Sequence, residues 1–396
     1  MSDGAIAEHG RRDRLAWTAR APDVLSLNHA KGTGMNHEAR IEGLRAKLDG
    51  LGVDALLVTN LTNVRYLTGF SGTNGQVLVS SSEAVFLSDP RYAARAADLV
   101  QGAEVVIYPS KLVDLLPGRV EAAGVARLGI EARTMTVAQR DDLAGPLEGV
   151  ELVSTSNVVE GSRRAKDAEE IAAIREAVRL GDEAFMWILD RLAPGKSERD
   201  IALELEVRIR RQGAEDVSFE PIVGSGPLSA HIHHTPSERP FEDGDLVLLD
   251  FGSLSGGYCS DLTRTVVLGS ASERQRVIYS TVLEAQARGI AAVAVDAPCA
   301  EVDGVARELI ATAGHGDAFP HGLGHGVGLD IHEAPTCNRL SEERLVAADV
   351  VTVEPGVYHV GWGGIRIEDC VLVTPDGGEV LGSAPKQELI EVKGTG

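Results

Sequence analysis

HGLGHGVGLDIHEAP, the stretch from His321 to Pro335, is the most diagnostic part of this 396-residue chain. It contains three histidines, spaced four and seven residues apart, and four glycines. Seven of the chain's eleven histidines fall between His231 and His332. Histidine titrates near neutral pH and is the commonest metal ligand, and glycine lets a backbone approach a ligand closely. The stretch therefore indicates a chemical site rather than a packed core, and the carboxylates elsewhere in the chain decide which kind.

Four acidic residues end or follow apolar, strand-like runs on either side of that stretch. Asp250 ends the run LVLL, and Asp261 lies eleven residues on, beyond a turn rich in glycine and serine. Glu354 follows VVTV, and Glu368 lies in GIRIED. The two aspartates can face each other across an antiparallel hairpin. Arg366 and Glu368 occupy alternate positions of one predicted strand and therefore share a face.

Metal ions explain these carboxylates better than an internal salt bridge does. A charge that is buried without a partner costs several kcal/mol, and one arginine, Arg366, cannot neutralise four carboxylates. A salt bridge between Arg366 and Glu368 alone remains the competing interpretation for that pair. His325 is the candidate imidazole ligand, because glycines on both sides leave it open to a closely approaching site. Four carboxylates and one imidazole predict a two-metal hydrolytic centre.

The other histidines divide into candidates for chemistry and candidates for the surface. His332 and His233 are predicted to remain without a metal, able to move protons or to donate to a developing oxyanion. Four more are assigned to the surface, to a supporting shell or to solvent: His231, His234, His315 and His359.

Composition excludes several classes of function. The net charge of −21 argues against a nucleic-acid partner, because phosphate binding depends on clustered Lys and Arg. No apolar run approaches the ~20 residues that span a bilayer, so no membrane association is predicted. The four cysteines are widely spaced and form no CxxC pair, which argues against a disulfide framework or a zinc ribbon. Free thiols and the lack of a recognisable signal segment favour the cytoplasm.

Patterning divides the chain into three parts. Residues 1–34 lack an apolar segment and are predicted to be a disordered tail or an overlong start, with Met35 as an alternative start. Residues 35–160 alternate between strand-like and helical periods, which is typical of an α/β domain. Residues 161–396 open with a long amphipathic helix and continue as paired strands separated by helices, which predicts an α+β domain. Ser197 and Asp200 form a predicted capping box for a helix that reaches about Gln212.

Segments with strand-like patterns recur through both parts of the chain. The predicted strands are 54–59, Gln76–Ser80, Ala84–Ser88, 104–108, 128–131, Leu246–Phe251, 258–267, 350–354 and 365–374. Two further helices are predicted over 273–293 and 301–313.

The motifs together resemble the "pita-bread" metallopeptidases: Xaa-Pro aminopeptidase, Xaa-Pro dipeptidase (prolidase) and methionine aminopeptidase. The resemblance covers about Met35 to Lys393 and rests on SGPLSAHIHHTPS, DFG…SDLTRT, HGLGHGVGLDIHEAP, VTVEPGVY and GIRIED. The N-terminal TNVRYLTGFSG and SDPRYAARA resemble the proline-peptidase branch, which disfavours a methionine aminopeptidase. The resemblance implies a creatinase/prolidase-type N-terminal α/β domain, followed by a catalytic domain with a curved antiparallel sheet.

The resemblance also implies roles for single residues. The implied ligands of two divalent ions, Mn²⁺ in the first place and Co²⁺ or Fe²⁺ as alternatives, are Asp250, Asp261, His325, Glu354 and Glu368, with Asp261 and Glu368 bridging. Glu354 would double as general base, and His233 and His332 would hold the substrate carbonyl and the departing nitrogen. His321 would line the pocket near the leaving group, and Arg366 would orient Glu368. The implied partners are a peptide with proline at its second position and a second copy of the chain, in a homodimer or tetramer.

Several alternatives stay open. The predicted activity is an Xaa-Pro aminopeptidase, a dinuclear-metal exopeptidase that removes the residue ahead of proline; a prolidase restricted to dipeptides is the close alternative. Thr336 stands where some dipeptidase-type relatives carry an arginine, which slightly favours the aminopeptidase. Ile232 before His233, where the family often has proline, leaves the alignment of that histidine open by one residue. More remote alternatives are a non-catalytic peptide-binding protein and a metal-free hydrolase of small amidino compounds.

Overall fold

The computed structural model describes residues 34–393. The prediction of a disordered tail therefore lies outside the described residues, except at Gly34. From residue 34 onward, six helices and six strands build the N-terminal part: α1 (His37–Arg45), α2 (Leu48–Leu51), α3 (Leu61–Thr68), α4 (Ala93–Leu99), α5 (Leu112–Ala122), α6 (Val137–Ala144), β1 (Ala55–Val58), β2 (Gln76–Ser80), β3 (Ala84–Ser88), β4 (Glu104–Ile107), β5 (Arg127–Glu131) and β6 (Glu151–Thr155).

A mixed six-stranded sheet forms the centre of this part, in the order β4-β3-β2-β1-β5-β6. β1, β2 and β3 pair antiparallel, whereas β4, β5 and β6 join by parallel pairing. The run ALLV of β1 is buried at every position, as expected for a strand that is covered on both faces. One apolar cluster lies on each face of the sheet, which confirms the predicted α/β class.

The C-terminal part contains five helices and fourteen strands within the described residues: α7 (Glu160–Arg163), α8 (Ala168–Leu189), α9 (Glu198–Arg211), α10 (Glu273–Ala292), α11 (Cys299–Ile310), β7 (Asp216–Val217), β8 (Ile222–Ser225), β9 (Leu246–Phe251), β10 (Ser253–Ser255), β11 (Tyr258–Cys259), β12 (Leu262–Leu268), β13 (Gly324–Gly326), β14 (Glu333–Cys337), β15 (Val350–Val353), β16 (Gly356–His359), β17 (Gly363–Arg366), β18 (Asp369–Thr374), β19 (Gly377–Val380) and β20 (Glu391–Val392). Short 3₁₀ or π turns add Pro90–Tyr92, Gly226–Ala230, Ala311–His315 and Gly316–Ala318.

Two larger sheets carry the site. One has the order β20-β12-β9-β8 and the other β14-β13-β15-β18-β19, and their pairings are antiparallel except for β12 with β20. Helices α8 and α9 pack against the first sheet around Phe185 and Phe251. Helices α10 and α11 pack against the second around Val282 and Val353. The two sheets with outer helices agree with the predicted α+β, pita-bread architecture, and the site lies on the inner side of the strands.

Two predicted strands are wrong in their continuity. The predicted strand 258–267 is interrupted at Ser260 and Asp261, and the predicted strand 365–374 is interrupted at Ile367 and Glu368. The expected alternation of Arg366 and Glu368 along one strand is therefore incorrect. The residues that flank both breaks are buried like those of a continuous strand, and a sequence pattern does not register a local loss of backbone pairing.

The boundary between the two parts stays a proposal. We propose that the domains divide near residue 160, since β6 ends at Thr155 and the long helix α8 begins at Ala168. None of the helices within residues 34–393 is long and apolar enough to cross a membrane.

Candidate metal centre

A cavity of about 380 Å³ lies between the two larger sheets. Its size falls within the range that is usual for small-molecule sites. All nine residues that the sequence proposed for the site line this cavity: His233, Asp250, Asp261, His321, His325, His332, Glu354, Arg366 and Glu368. Apolar side chains complete the wall, among them Phe219, Ile232 and Ile331.

Asp250 lies on β9, and Asp261 immediately precedes β12, the antiparallel partner of β9. Asp250 lies opposite Thr263, and Asp261 is two residues before Thr263, so both carboxylates emerge on the same face. They are diagonal neighbours rather than the directly opposed pair that the sequence suggested. The Oδ1 atoms of Asp250 and Asp261 are both buried and have no hydrogen-bond partner. Buried oxygens of this kind call for a ligand that accepts electron pairs.

His325 is held with one ring nitrogen free. Its Nδ1 lies 3.1 Å from the carbonyl oxygen of Gly326 and therefore donates to it. Nε2 then carries the lone pair, 3.6 Å from Asp261 Oδ2 and 3.5 Å from Glu354 Oε1. Burial, followed by repulsion from His332, lowers the pKa of His325 to about 4. A neutral imidazole with an oriented Nε2 is the form that binds a metal.

Glu354 and Glu368 complete the carboxylate set from positions just outside strands. Glu354 follows β15, and its Oε1 accepts a 3.2 Å hydrogen bond from Thr352. Glu368 lies between β17 and β18, and its Oε2 accepts a 2.6 Å hydrogen bond from the hydroxyl of Thr263. One ligand atom each from Asp261, His325 and Glu368 lies within 4.8 Å of the other two.

Electrostatics favours cations at this place. Burial raises the pKa of Glu354 to about 8, and burial together with neighbouring carboxylates raises the pKa of Asp261 and Glu368. Burial also raises the pKa of Asp250, although Arg366 opposes the shift. These upward shifts mean that the ionised carboxylates lack enough neighbouring positive charge, which a divalent ion supplies. Unpartnered oxygens, an oxygen-rich donor set and one free imidazole nitrogen fit divalent metal ions.

Arg366 lies at the centre of the hydrogen bonds around the ligands. It donates to Asp250 Oδ2, to the Thr263 hydroxyl at 3.0 Å and to the Tyr358 hydroxyl at 2.9 Å. The Thr263 hydroxyl donates in turn to Glu368. Arg366 therefore reaches Glu368 only through Thr263, and its direct carboxylate partner is Asp250.

Three histidines, His233, His321 and His332, lie in the cavity but outside the compact group of Asp261, His325 and Glu368. The rings of His332 and His325 meet edge to face, with centroids 4.3 Å apart. His233 and His332 are exposed and line the cavity. Burial lowers the pKa of His321 to about 3, so its Nδ1 donates to the Gly322 carbonyl and its Nε2 accepts from the Tyr358 hydroxyl at 2.9 Å.

Sequence reasoning missed several residues that support the site. Thr263 and Tyr358 link Arg366 to Glu368 and to His321, as described above. His234, which the sequence assigned to the surface or to a supporting shell, supports the site: its Nε2 lies 2.8 Å from Oε2 of the fully buried Glu198, a partner that the sequence did not identify. The capping box at the start of α9 was the available signal, but it gave no sign that Glu198 binds a loop almost forty residues later.

His315 and His359, which the sequence assigned to solvent, are half-buried and contact each other. Their ring nitrogens are 3.2 Å apart, because the turn after α11 packs against the end of β16. They lie outside the set of residues that line the cavity between the two larger sheets.

Comparison with known proteins agrees with this geometry. The model of metallopeptidase family M24 matches residues 172–375, and the model of the creatinase/prolidase N-terminal domain matches residues 40–165. The chain belongs to metallopeptidase family M24. It is a metal-dependent hydrolase with the two-part organisation of the creatinase and prolidase group.

Three relatives illustrate the likeness over the full length. The Xaa-Pro dipeptidase from Bacillus anthracis is 40% identical, with a TM-score of 0.88 over 90% of this chain and 100% of its own. The X-Pro aminopeptidase from Thermotoga maritima MSB8 is 32% identical, with a TM-score of 0.81 over 86% of this chain and 98% of its own. The Xaa-Pro dipeptidase of Pyrococcus furiosus is 35% identical over 88% of this chain and 99% of its own.

Proposed function

We propose that this M24 metallopeptidase hydrolyses the bond between a residue and a following proline, and that Xaa-Pro dipeptides are its principal substrates. The observation that carries the proposal is the convergence of Asp250, Asp261, His325, Glu354 and Glu368 on one cavity. A complete ligand set also argues against a non-catalytic binding protein and against a metal-free hydrolase.

The proposed ligands of two divalent ions are these same five residues. Asp261 and Glu368 are the proposed shared ligands, supported by the short separation of their ligand atoms from each other and from His325. Asp250 is assigned to one ion, and His325 with Glu354 to the other. When bound, such ions lower the pKa of a coordinated water and stabilise negative charge on a substrate carbonyl. Manganese is the proposed metal, because oxygen ligands with one imidazole suit it.

The surrounding residues are proposed to move protons and to orient the peptide. Glu354 lines the cavity, with its Oε1 3.5 Å from His325 Nε2, and is the proposed general base that takes up a proton from attacking water. His233 and His332 face the cavity as donors to the substrate carbonyl and to the departing nitrogen. His321 is proposed to line the pocket near the leaving group. Arg366 is proposed to fix Asp250 directly and Glu368 through Thr263.

The comparisons favour the dipeptidase over the aminopeptidase. The relatives from Bacillus anthracis and Pyrococcus furiosus both carry the name Xaa-Pro dipeptidase. Cleavage of longer peptides remains the second candidate activity, because the chain is also similar to the X-Pro aminopeptidase from Thermotoga maritima. One observation supports the aminopeptidase. Thr336 lines the cavity at the position where some dipeptidase-type relatives carry an arginine, so the cavity has no cationic side chain there.

Two broader features belong to the same proposal. The cytoplasm is the proposed compartment, since the four cysteines are free and buried and a reducing environment maintains that state. A homodimer is the proposed assembly, with sedimentation of the active enzyme as its test. A monomeric mass for fully active enzyme contradicts the homodimer.

The experiment compares two peptides on metal-stripped protein, with and without added Mn²⁺. An Xaa-Pro dipeptide and the matching Xaa-Pro-Xaa tripeptide are offered side by side, and a dipeptide without proline serves as control. Metal-restored cleavage of the dipeptide alone establishes a prolidase, whereas cleavage of the first bond of the tripeptide establishes the aminopeptidase. Failure to cleave either proline peptide with two ions bound overturns the preference for proline.

A further inference from the structure

The segment that carries His332 is supported partly by the N-terminal domain. β13 ends at Gly326 and β14 begins at Glu333, so residues 328–332 lack a regular strand. Leu329 packs against the apolar core of the N-terminal domain, and the hydroxyl of Thr62 in α3 donates a 2.9 Å hydrogen bond to Asp330. A loop has to be fixed from outside if its side chains are to act with precision.

Arg163, from the short helix between the domains, binds this segment at two points. Its side chain is 2% exposed, and Nη2 donates to Asp330 Oδ2 at 2.7 Å and to Glu333 Oε2 at 2.5 Å. Nη1 donates to Asn63 Oδ1 at 2.9 Å. The ammonium group of Lys166 donates to Glu333 Oε1 at 2.7 Å. One guanidinium therefore joins the N-terminal domain to Asp330 and Glu333, which lie on either side of His332.

Asn63, the residue of the N-terminal domain that accepts a hydrogen bond from Arg163, is itself held by hydrogen bonds. The amide nitrogen of Asn63 donates to Glu131 Oε1 at 2.7 Å and to Glu160 Oε1 at 2.8 Å. Oε2 of Glu131 accepts from the backbone of Thr59 and Asn60 at 2.6 and 2.7 Å. These hydrogen bonds, which involve β5 and the start of α3, hold the side-chain amide of Asn63 in the orientation in which its oxygen accepts from Arg163.

We propose that Arg163 is a positioning residue for His332, through which the N-terminal domain sets the place of that histidine in the cavity. Glu333 follows His332 directly and takes charged hydrogen bonds on both carboxylate oxygens, one from Arg163 and one from Lys166. A Cβ at Gly328 would lie 2.3 Å from Glu333 Oε1, so the loop closes tightly over this carboxylate. Removing the arginine takes the charged partner from Glu333 Oε2 and Asp330 Oδ2, so that Lys166 alone remains to pair with the buried Glu333 carboxylate.

The first test measures Arg163→Met, which removes the charge and keeps a long apolar stem. This inference rests on the proposed role of His332, and a displacement of that residue is expected to lower kcat by about 10-fold to 100-fold, with a smaller change in KM and unchanged metal content. Arg163→Lys should restore part of the loss, because lysine keeps the charge but lacks the fork that spans two carboxylates. Arg175→Met, which breaks the exposed pair with Glu379, is the matched control and should behave as wild type.

A double-mutant cycle separates positioning from general destabilisation. If Arg163 acts through His332, Arg163→Met should lower kcat by less than about threefold in a His332→Ala background, since coupled residues are not additive. The same 10-fold to 100-fold loss in both backgrounds overturns the proposal and assigns Arg163 to overall stability.

Hydrogen exchange gives a reading that does not depend on activity. Arg163→Met should accelerate amide exchange in residues 328–333 and leave exchange in β15 unchanged. Wild-type exchange in residues 328–333 overturns the proposal. If the wild-type enzyme with two ions cleaves no proline peptide, the proposed function fails, while the exchange comparison still decides whether Arg163 holds this loop.

Discussion

Glu368 illustrates at the scale of one residue why the site depends on metal ions. Its carboxylate is 2% exposed, and its one hydrogen bond from a side chain comes from Thr263. Burial and the neighbouring Asp261 raise its pKa, so the group is poorly stabilised as an anion until cations arrive. A substitution of such a residue should therefore change the metal content of the protein directly, and the rate of hydrolysis as a consequence.

Replacing Glu368 should remove metal and turnover together. Glu368→Gln keeps the shape of the side chain and removes the charge, and Asp261→Ala should have the same outcome at the other proposed shared ligand. Metal content by elemental analysis and hydrolysis of an Xaa-Pro dipeptide are measured on the same preparations. Glu379→Gln, at an exposed carboxylate, is the control. Full turnover by Glu368→Gln would exclude it as a ligand.

His332 should separate from the ligands in the same assay. Its ring lies against that of His325 but outside the compact ligand group. His332→Ala is expected to retain both ions and to lower kcat by about 10²–10⁴-fold, the usual range for loss of a general acid or base. Loss of metal in this variant would mean that the ligand and proton-transfer roles are misassigned.

The sequence marked the proposed metal ligands more clearly than the residues that support them. Asp250 and Glu354 stand out because a charge beside an apolar run needs a reason to be there. Thr263 and Tyr358 carry no such mark, since a hydroxyl is unremarkable in a strand. Their importance arises from where β12, β16 and β17 meet around Arg366, and that meeting is a property of tertiary structure.

At the scale of elements, three of the four carboxylates lie at interruptions of strands. Asp261 precedes β12, Glu354 separates β15 from β16, and Glu368 separates β17 from β18. Residues at these points are not part of a regular strand, so their side chains can point into the cavity. Periodicity predicted the strands themselves, in several cases to the residue, but it carried the pattern through the breaks, because the flanking residues remain buried.

Helix α9 offers a prediction of pH dependence through Glu198, which holds the loop that contains His233. Burial raises the pKa of Glu198, but hydrogen bonds from Ser237, His234 and Ser225 outweigh it, and the net shift is downward from 4.5. A lowered pKa means that the ionised group stabilises the fold above about pH 4.5 and loses this effect as the pH falls.

Glu198→Gln should therefore destabilise the protein at pH 7 by about 1–3 kcal/mol, the usual cost of breaking a buried hydrogen-bonded group. The difference from wild type should shrink towards pH 4. Thermal unfolding of chelator-treated protein at both pH values measures it. Glu206→Gln, at an exposed position of the same helix, is the control, and a difference that grows in acid would contradict the assignment.

At the scale of the whole molecule, the sequence indicated two domains but not how they connect. Alternating periods predicted the strands of the N-terminal sheet, whereas the order β4-β3-β2-β1-β5-β6 follows from pairings that no local pattern encodes. The contacts of Arg163 and Thr62 with Asp330 were equally hidden, because each joins residues more than 160 positions apart. Long-range polar contacts of this kind decide how one domain acts on the other's site.

Metal binding should accordingly stabilise the entire fold. The proposed ligands come from both larger sheets, with Asp250 on β9 and His325 on β13, so ions bound to them would hold the two sheets together. A ligand present at 100 times its Kd adds about 2.7 kcal/mol per site, which corresponds to about 5–10 °C in Tm for a domain of this size. Chelator treatment, which removes both ions, should lower Tm by twice that amount, about 10–20 °C, and Mn²⁺ should restore it. The same titration on Glu368→Gln should give little shift, because that variant lacks a proposed shared ligand. An equal rise in Tm in both proteins would mean that the stabilising ions bind elsewhere on the acidic surface. No rise in the Tm of the wild type would contradict the expectation that metal binding stabilises the fold.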